Sequence, residues 1–251
     1  MPEYSITFWV FAIAAVLLSG ISKAGFGGGV GMVATPLLAL SIPVVDAAAI
    51  MLPLLIACDL FSVVHYRSRF DSRNIKILLI GAVVGIGVAS LFFGYFRGND
   101  SVLRKGIGVL AIGFVAFQVM RAVILGLLER RQHLPGVVQG VLMGAMSGFT
   151  STLIHAGGPP VAIYMLPQKM PRDQYVGTTV IFFAIVNVLK LIPYSGLGLL
   201  HVGQWSTILL LAPFAFIGVR LGVWLNRRFS EIWFTRLIYA ILLITGIQLI
   251  L

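Results

Sequence analysis

The chain has 251 residues, of which 59% are hydrophobic and only 10% charged, and its mean hydropathy is +1.02. Soluble domains carry about 25% charged residues, so a soluble globular fold is excluded and the chain reads as a polytopic helical membrane protein. The formal charge of +10 is scattered through short connecting segments with no aromatic-interleaved basic patch, which argues against a nucleic-acid partner.

The N-terminal stretch Met1-Pro-Glu-Tyr-Ser lacks a basic segment, so the apolar run after it reads as retained structure. About 20 apolar residues cross a bilayer. In chain order, apolar arms at 6–22 and 30–42 flank a first polar, glycine-rich break, Ser22 to Gly31. Full-length spans follow at 45–65, 75–97 and 102–121. Shorter arms at 136–149 and 156–167 flank a second break, Gly148 to Pro160, and spans at 174–193, 204–225 and 236–251 complete the chain. The arms are short for a full crossing, which predicts re-entrant hairpins or broken helices. The apolar runs are continuous rather than alternating, unlike those of a β-barrel. The single cysteine, Cys58, lies in an apolar run and predicts core packing.

Basic residues set the topology. Arg67, Arg69, Arg73, Lys76, Arg121, Arg130, Arg131, Lys169, Arg172, Arg227, Arg228 and Arg236 fall in segments that share one side if each hairpin returns to its starting side or crosses twice. Arg97, Arg104 and Lys105 remain for the other side. Both termini are then periplasmic or extracellular, in a multi-pass protein of the cell inner (plasma) membrane. Each half makes an odd net number of crossings, so the halves are inverted. A faint repeat agrees with this. Gly25-Phe26 matches Gly148-Phe149, Pro36 matches Pro159 and Ala39 matches Ala162; after a five-residue insertion Pro43 matches Pro171, Asp59 faces Asn187 and Tyr66 matches Tyr194. The predicted fold is an all-α polytopic membrane protein of two inverted repeats, each a broken or re-entrant hairpin plus three transmembrane helices. Its parts are an N-terminal repeat at 1–125, a cytoplasmic linker at 126–135 and a C-terminal repeat at 136–251, forming one integral membrane domain.

The segment Gly25-Phe-Gly-Gly-Gly-Val-Gly-Met-Val-Ala-Thr-Pro36 with Leu37-Leu38, and Gly148-Phe149 with His155-Ala-Gly-Gly-Pro-Pro160 and the run to Leu166, resemble the TauE/SafE sulfite exporter family, also called the sulfite/organosulfonate exporter or TSUP family. The likeness covers essentially the whole chain. It implies a multi-pass inner-membrane protein that moves sulfite, sulfonates, sulfoacetate or related sulfur anions, and it leaves the cargo open.

Irregular backbone survives at membrane depth only where protein covers it or water reaches it, so the two breaks are the candidate substrate site. An oxyanion needs several N–H or O–H donors and some positive charge. Gly27, Gly28 and Gly29 offer backbone N–H groups, and Lys23 is the cation of the first hairpin. Thr150, Ser151 and Thr152 offer hydroxyls, His155 an imidazole, and Gly157 and Gly158 further N–H groups. Two half-helix N-termini converging on one anion is the expected picture. The same hydroxyls can instead bond the preceding turn's carbonyls, and Lys23 can snorkel if its break is shallow. Asp59, Asn187 and Lys190 are candidates for coupling or gating. Asp59 either carries a proton or pairs with Lys23 or Lys190, and Lys190 either snorkels or attracts substrate. The ladder Gly136, Gly140, Gly144, Gly148 and the pair Gly81 and Gly85 suit close helix packing. Small-residue faces also make the chain a candidate homo-oligomer.

With no nucleotide-binding motif, a secondary transporter of a small sulfur-containing anion, an exporter, is the leading expectation. Its partners are the anionic substrate and the lipid bilayer, with no metal and no cofactor. An anion channel of similar selectivity is the alternative. A membrane-embedded hydrolase using Ser151 and His155, four residues apart, is the weaker one, and the chain is expected not to be an enzyme.

Overall fold

The structure, a computed structural model, describes residues 4–26, 31–96, 98–130, 135–200, 205–228 and 231–251. Ten α-helices follow in order: α1 (Ile6–Phe26), α2 (Ala34–Leu38), α3 (Val44–Tyr66), α4 (Ser72–Phe96), α5 (Asp100–Arg130), α6 (Val137–Ile154), α7 (Gly158–Met165), α8 (Arg172–Gly196), α9 (Trp205–Arg228) and α10 (Glu231–Ile250). Short 3₁₀ turns, Gly31–Val33 and Leu166–Gln168, precede α2 and follow α7. Among the described residues there is no strand. Seven helices, α1, α3, α4, α5, α6, α8 and α9, are long and apolar enough to cross a membrane, and α10 contributes a shorter apolar stretch, Arg236–Ile250.

The first arm of each half, expected at 6–22 and 136–149, runs longer in the structure. α1 continues through Ser22 and Lys23 to Phe26, and α6 runs through Thr150, Ser151 and Thr152 to Ile154. Polar side chains do not end a helix whose own carbonyls accept their hydrogens. Thr150 Oγ1 donates to Met146 O (2.9 Å) and Thr152 Oγ1 to Gly148 O (2.8 Å). The irregular backbone of the second break is therefore shorter, confined to His155–Gly157, while 27–30 of the first break lie outside the described residues.

The long third element of each half starts in the same way. Pro43 (φ −54°, ψ 144°) precedes α3 and Pro171 (φ −53°, ψ 142°) precedes α8, each supplying an extended residue just before the first turn. Asp100 Oδ1 accepts the Val44 N–H at 3.0 Å, and Arg104 closes this corner by donating to Asp100 Oδ2 and to Ile42 O. At the other end of α3, Arg69 pairs with Asp173, and Asp71 N–H donates to Thr178 Oγ1 at 2.9 Å.

Helix contacts follow an exchange between the halves. α1 packs along α9 while α6 packs along α4; α3 packs on α8 and α5 on α10. Glycine makes both intimate pairs close. A Cβ on Gly144 would lie 2.1 Å from Leu78 O, one on Gly148 2.3 Å from Ala82 O, and one on Gly81 1.8 Å from Val141 O. Across α1 and α9 the same job falls to Gly20, Gly218 and Gly222, whose Cβ atoms would meet backbone at 2.8, 2.8 and 2.6 Å. The glycine ladder is thus spent on packing within the chain, apart from Gly136, which has open space.

Gly144→Leu and Gly81→Leu should separate α4 from α6 and cost more than the ~1–3 kcal/mol typical of overpacking, because backbone cannot yield. Gly87→Leu, in open space on α4, should leave the melting temperature in detergent unchanged. Equal melting of all three variants would contradict this account of the interface.

Candidate functional site

The last turn of α1 carries Lys23 into the protein interior, where its Nζ donates to Asp59 Oδ1 at 2.5 Å and to Leu55 O at 3.1 Å. Leu55 and Asp59 are one turn apart on α3, so one amine spans both. Asn187, from α8, donates its Nδ2 hydrogen to Asp59 Oδ2 at 2.6 Å. Both carboxylate oxygens are engaged, and all three side chains are buried. Lys190, one turn further along α8, donates to Ser151 O (3.0 Å) and Ser151 Oγ (3.1 Å) in the last turn of α6. Its relative exposure is 0%, so it does not snorkel.

His155 ends α6 in the left-handed conformation (φ 57°, ψ 28°), with its N–H donating to Ser151 O and the Ala156 N–H donating to Thr150 O. This reversal turns the imidazole inward. Nδ1 shares a 2.9 Å hydrogen bond with Thr35 Oγ1 of α2, while Nε2 is buried with no hydrogen-bond partner. When the threonine donates to Nδ1, Nε2 carries the ring hydrogen. Ser147 Oγ ties down the break by donating to Gly157 O at 2.8 Å. A Cβ at Gly157 would strike Ser147 Oγ at 2.7 Å and the Phe183 ring at 2.8 Å, so only glycine fits there.

Lys23, Ser151, His155, Gly158, Phe183 and Asn187 line a cavity of about 20 Å³, closed on one side by Leu55. That is room for about one water. Its polar lining is rich in donors, and among the described residues no carboxylate lines it; Asp59 stands behind Lys23 and Lys190 behind Ser151. Two tyrosines hold the helix tips around the cavity. Tyr66 OH donates to Ala24 O at 3.2 Å and Tyr194 OH to Thr152 O at 2.7 Å. Each bond joins residues 42 apart. Both ends of the second bond lie the same distance along the chain from those of the first, in the register that relates Asp59 to Asn187. The tips therefore do not follow the Gly25-Phe26 and Gly148-Phe149 match. Beyond Tyr66, a wider cavity of about 420 Å³ is lined by His65, Ser68, Arg69, Arg172 and Asp173.

A family model described as Sulfite exporter TauE/SafE matches residues 12–249. The chain belongs to the TauE/SafE sulfite exporter family. Membership implies a membrane sulfite or sulfonate exporter, and no curated protein and no solved structure matches the chain.

Of the residues the sequence singled out in this TauE/SafE chain, Lys23, Ser151, His155, Gly158 and Asn187 meet at one cavity, with Asp59 and Lys190 directly behind. Thr150 and Thr152 do not reach it, since their hydroxyls serve carbonyls of their own segment, and Gly157 serves packing. Gly27, Gly28 and Gly29 lie outside the described residues. Of the two expected half-helix N-termini, that of α7 brings its first residue, Gly158, to the cavity. α2 has only five residues, too few for a useful dipole, and Lys23 and Ser151 come instead from the C-terminal turns of α1 and α6, with Asn187 from α8. The Ser151 and His155 side chains share no hydrogen bond among the described residues; their polar atoms bond Lys190 and Thr35 respectively. Thr35, Ser147, Tyr66 and Tyr194 escaped notice as site residues. The two tyrosines matched in the repeat, which is the one signal that pointed to them.

Removing either member of a buried ion pair strands a charge at a cost of about 3–5 kcal/mol, whereas replacing both with apolar groups is often neutral. Lys23→Met and Asp59→Leu should therefore each melt well below wild type, and the double variant should recover most of the loss. Additive losses in detergent melting would refute the pairing.

Proposed function

We propose that this TauE/SafE chain is a secondary transporter that exports a small sulfur-containing anion of the sulfite, sulfonate or sulfoacetate class, bound in the cavity between the tips of α1 and α6. The observation that carries the reading is the unpartnered, buried His155 Nε2 at a cavity whose other polar groups are Lys23, Ser151 and Asn187. A buried ring nitrogen without a partner costs about 1–3 kcal/mol. An oxyanion accepting from it, from the Ser151 hydroxyl and from the Lys23 ammonium recovers that cost.

The anion competes with Asp59 for Lys23. In its absence Asp59 is the counter-ion that makes a buried lysine tolerable. On binding, the amine turns toward the cavity and Asp59 keeps the Asn187 amide. Lys190 supports Ser151 from behind and adds positive potential without touching the ligand. A sulfite or sulfonate head is larger than a water molecule, so it enters only when a helix tip moves away. That requirement favours a carrier over an open channel. The 420 Å³ basic cavity beyond Tyr66 is the proposed approach from the cytoplasm. The halves are proposed to be inverted across the inner membrane with both termini outside. The basic-residue distribution and the exchanged contacts of α1 with α9 and α6 with α4 support that arrangement.

Calorimetry on purified protein with sulfite, thiosulfate, sulfoacetate, taurine and sulfate tests the site. At least one sulfur anion should bind, and Ser151→Ala and His155→Asn should each weaken it roughly tenfold, about 1.4 kcal/mol. Wild-type affinity in both variants, or no binding of any sulfur anion, overturns the reading.

The competition with Asp59 has its own signature. Asp59→Asn should melt below wild type without ligand, yet gain more degrees than wild type at saturating anion, because Lys23 then has one partner left to choose. An equal ligand-induced shift in the two proteins would remove Asp59 from the mechanism.

A further inference from the structure

A separate recess of about 470 Å³ lies where α4, α5 and α6 meet. Its floor is made by buried Phe93, Leu103, Ile107 and Leu153, and its rim by the exposed Phe92 and Val109. The recess exists because α4 and α5 barely touch. α4 is committed to α6 and α5 to α10. Gly106 widens it, since a Cβ placed there meets nothing within 4 Å.

Among the described residues, one polar side chain lines this apolar recess, that of Lys105. Its neighbour Arg104 is held by Asp100 and Ile42 O, whereas Lys105 makes no hydrogen bond or ion pair among the described residues. It sits in the second turn of α5, close to the helix end, where a lysine lays its stem along apolar surface and lifts its amine to headgroup level. An apolar recess opening between membrane helices, with a lone cation at one end, matches a molecule with an alkyl chain and a phosphate.

We infer that this recess is a binding site for an anionic glycerophospholipid, one acyl chain lying between α4 and α5 and the headgroup phosphate paired with Lys105. The chain rests against Phe149 and Leu153 on the last turns of α6, the same turns that present Ser151 and Thr152 to the interior. Occupancy therefore braces the α6 tip from the lipid side.

The test uses purified, delipidated full-length protein, with phosphatidylglycerol or phosphatidylcholine added back, and reads bound lipid by native mass spectrometry together with the melting temperature. Wild type should retain phosphatidylglycerol through higher collision energy and melt higher with it than with phosphatidylcholine. Lys105→Gln should abolish the difference between the two lipids. Gly106→Phe should fill the recess and abolish retention of both, as should Val109→Trp at the rim if the glycine variant fails to fold. Gly113→Phe, on the same helix and also in open space but outside the recess, should behave as wild type. Equal retention of the two lipids by wild type, or unchanged retention in both recess-filling variants, overturns the proposal.

Discussion

A buried lysine and a buried carboxylate meet where three helices cross, and much of the interior is arranged around making that meeting tolerable. Lys23 stands on α1, Asp59 on α3 and Asn187 on α8, so the contact fixes the tip of the first hairpin against both long central helices. Neither charge would survive alone among apolar side chains. Together, with the Leu55 carbonyl accepting a second Lys23 hydrogen and the Asn187 amide donating to the second Asp59 oxygen, they form a linked polar unit. The glycine-lined seams of α1 with α9 and α4 with α6 then bring backbones close enough for such short polar contacts to form at the centre.

The two halves share construction but not charge. Proline enters the third element of each half with nearly the same dihedral angles, and a tyrosine hydroxyl closes each tip. Where one half has Lys23 and Asp59, the other has Ser151 and Asn187 at matching register, and the second lysine, Lys190, has moved one turn along α8. Similar local construction thus surrounds unequal charge: a paired lysine on one side and a lysine bonded to neutral groups on the other. In the proposed site an anion would meet a cation shared with Asp59 on one side and a hydroxyl bonded to a buried amine on the other.

Much of this was legible in the residues. An ionisable side chain inside an apolar run has few excuses, so Lys23, Asp59, His155 and Lys190 stood out at once, and Asn187 followed from the repeat. The partner of Asp59 was not legible, because Lys23 and Lys190 are equally plausible until the helices are placed. Helix length was misjudged for a related reason. Ser22, Lys23 and Thr150 to Thr152 look like a break in a linear reading, yet hydroxyls that return to the previous turn and a lysine that finds a carboxylate leave the helix intact. Thr35 carried no signal at all, being a single hydroxyl in an apolar arm whose value depends on which ring faces it. The Tyr66 and Tyr194 identities were visible, but not that their hydroxyls would reach across 42 residues to a carbonyl.

Those two tyrosine bonds bear on direction. In each tip the tyrosine adds one neutral hydroxyl-to-carbonyl hydrogen bond, an interaction with a net worth of about 1 kcal/mol. These two latches match, so any preference for opening one way lies in the charged contacts beside them, Lys23 with Asp59 in one tip and Lys190 with Ser151 in the other. For a passive carrier of the proposed kind, net flow is decided outside the protein: a membrane potential negative inside drives an anion outward with about 2.3 kcal/mol per charge per 100 mV. Such a carrier would export by circumstance, and would run backward when the voltage and the gradient are reversed.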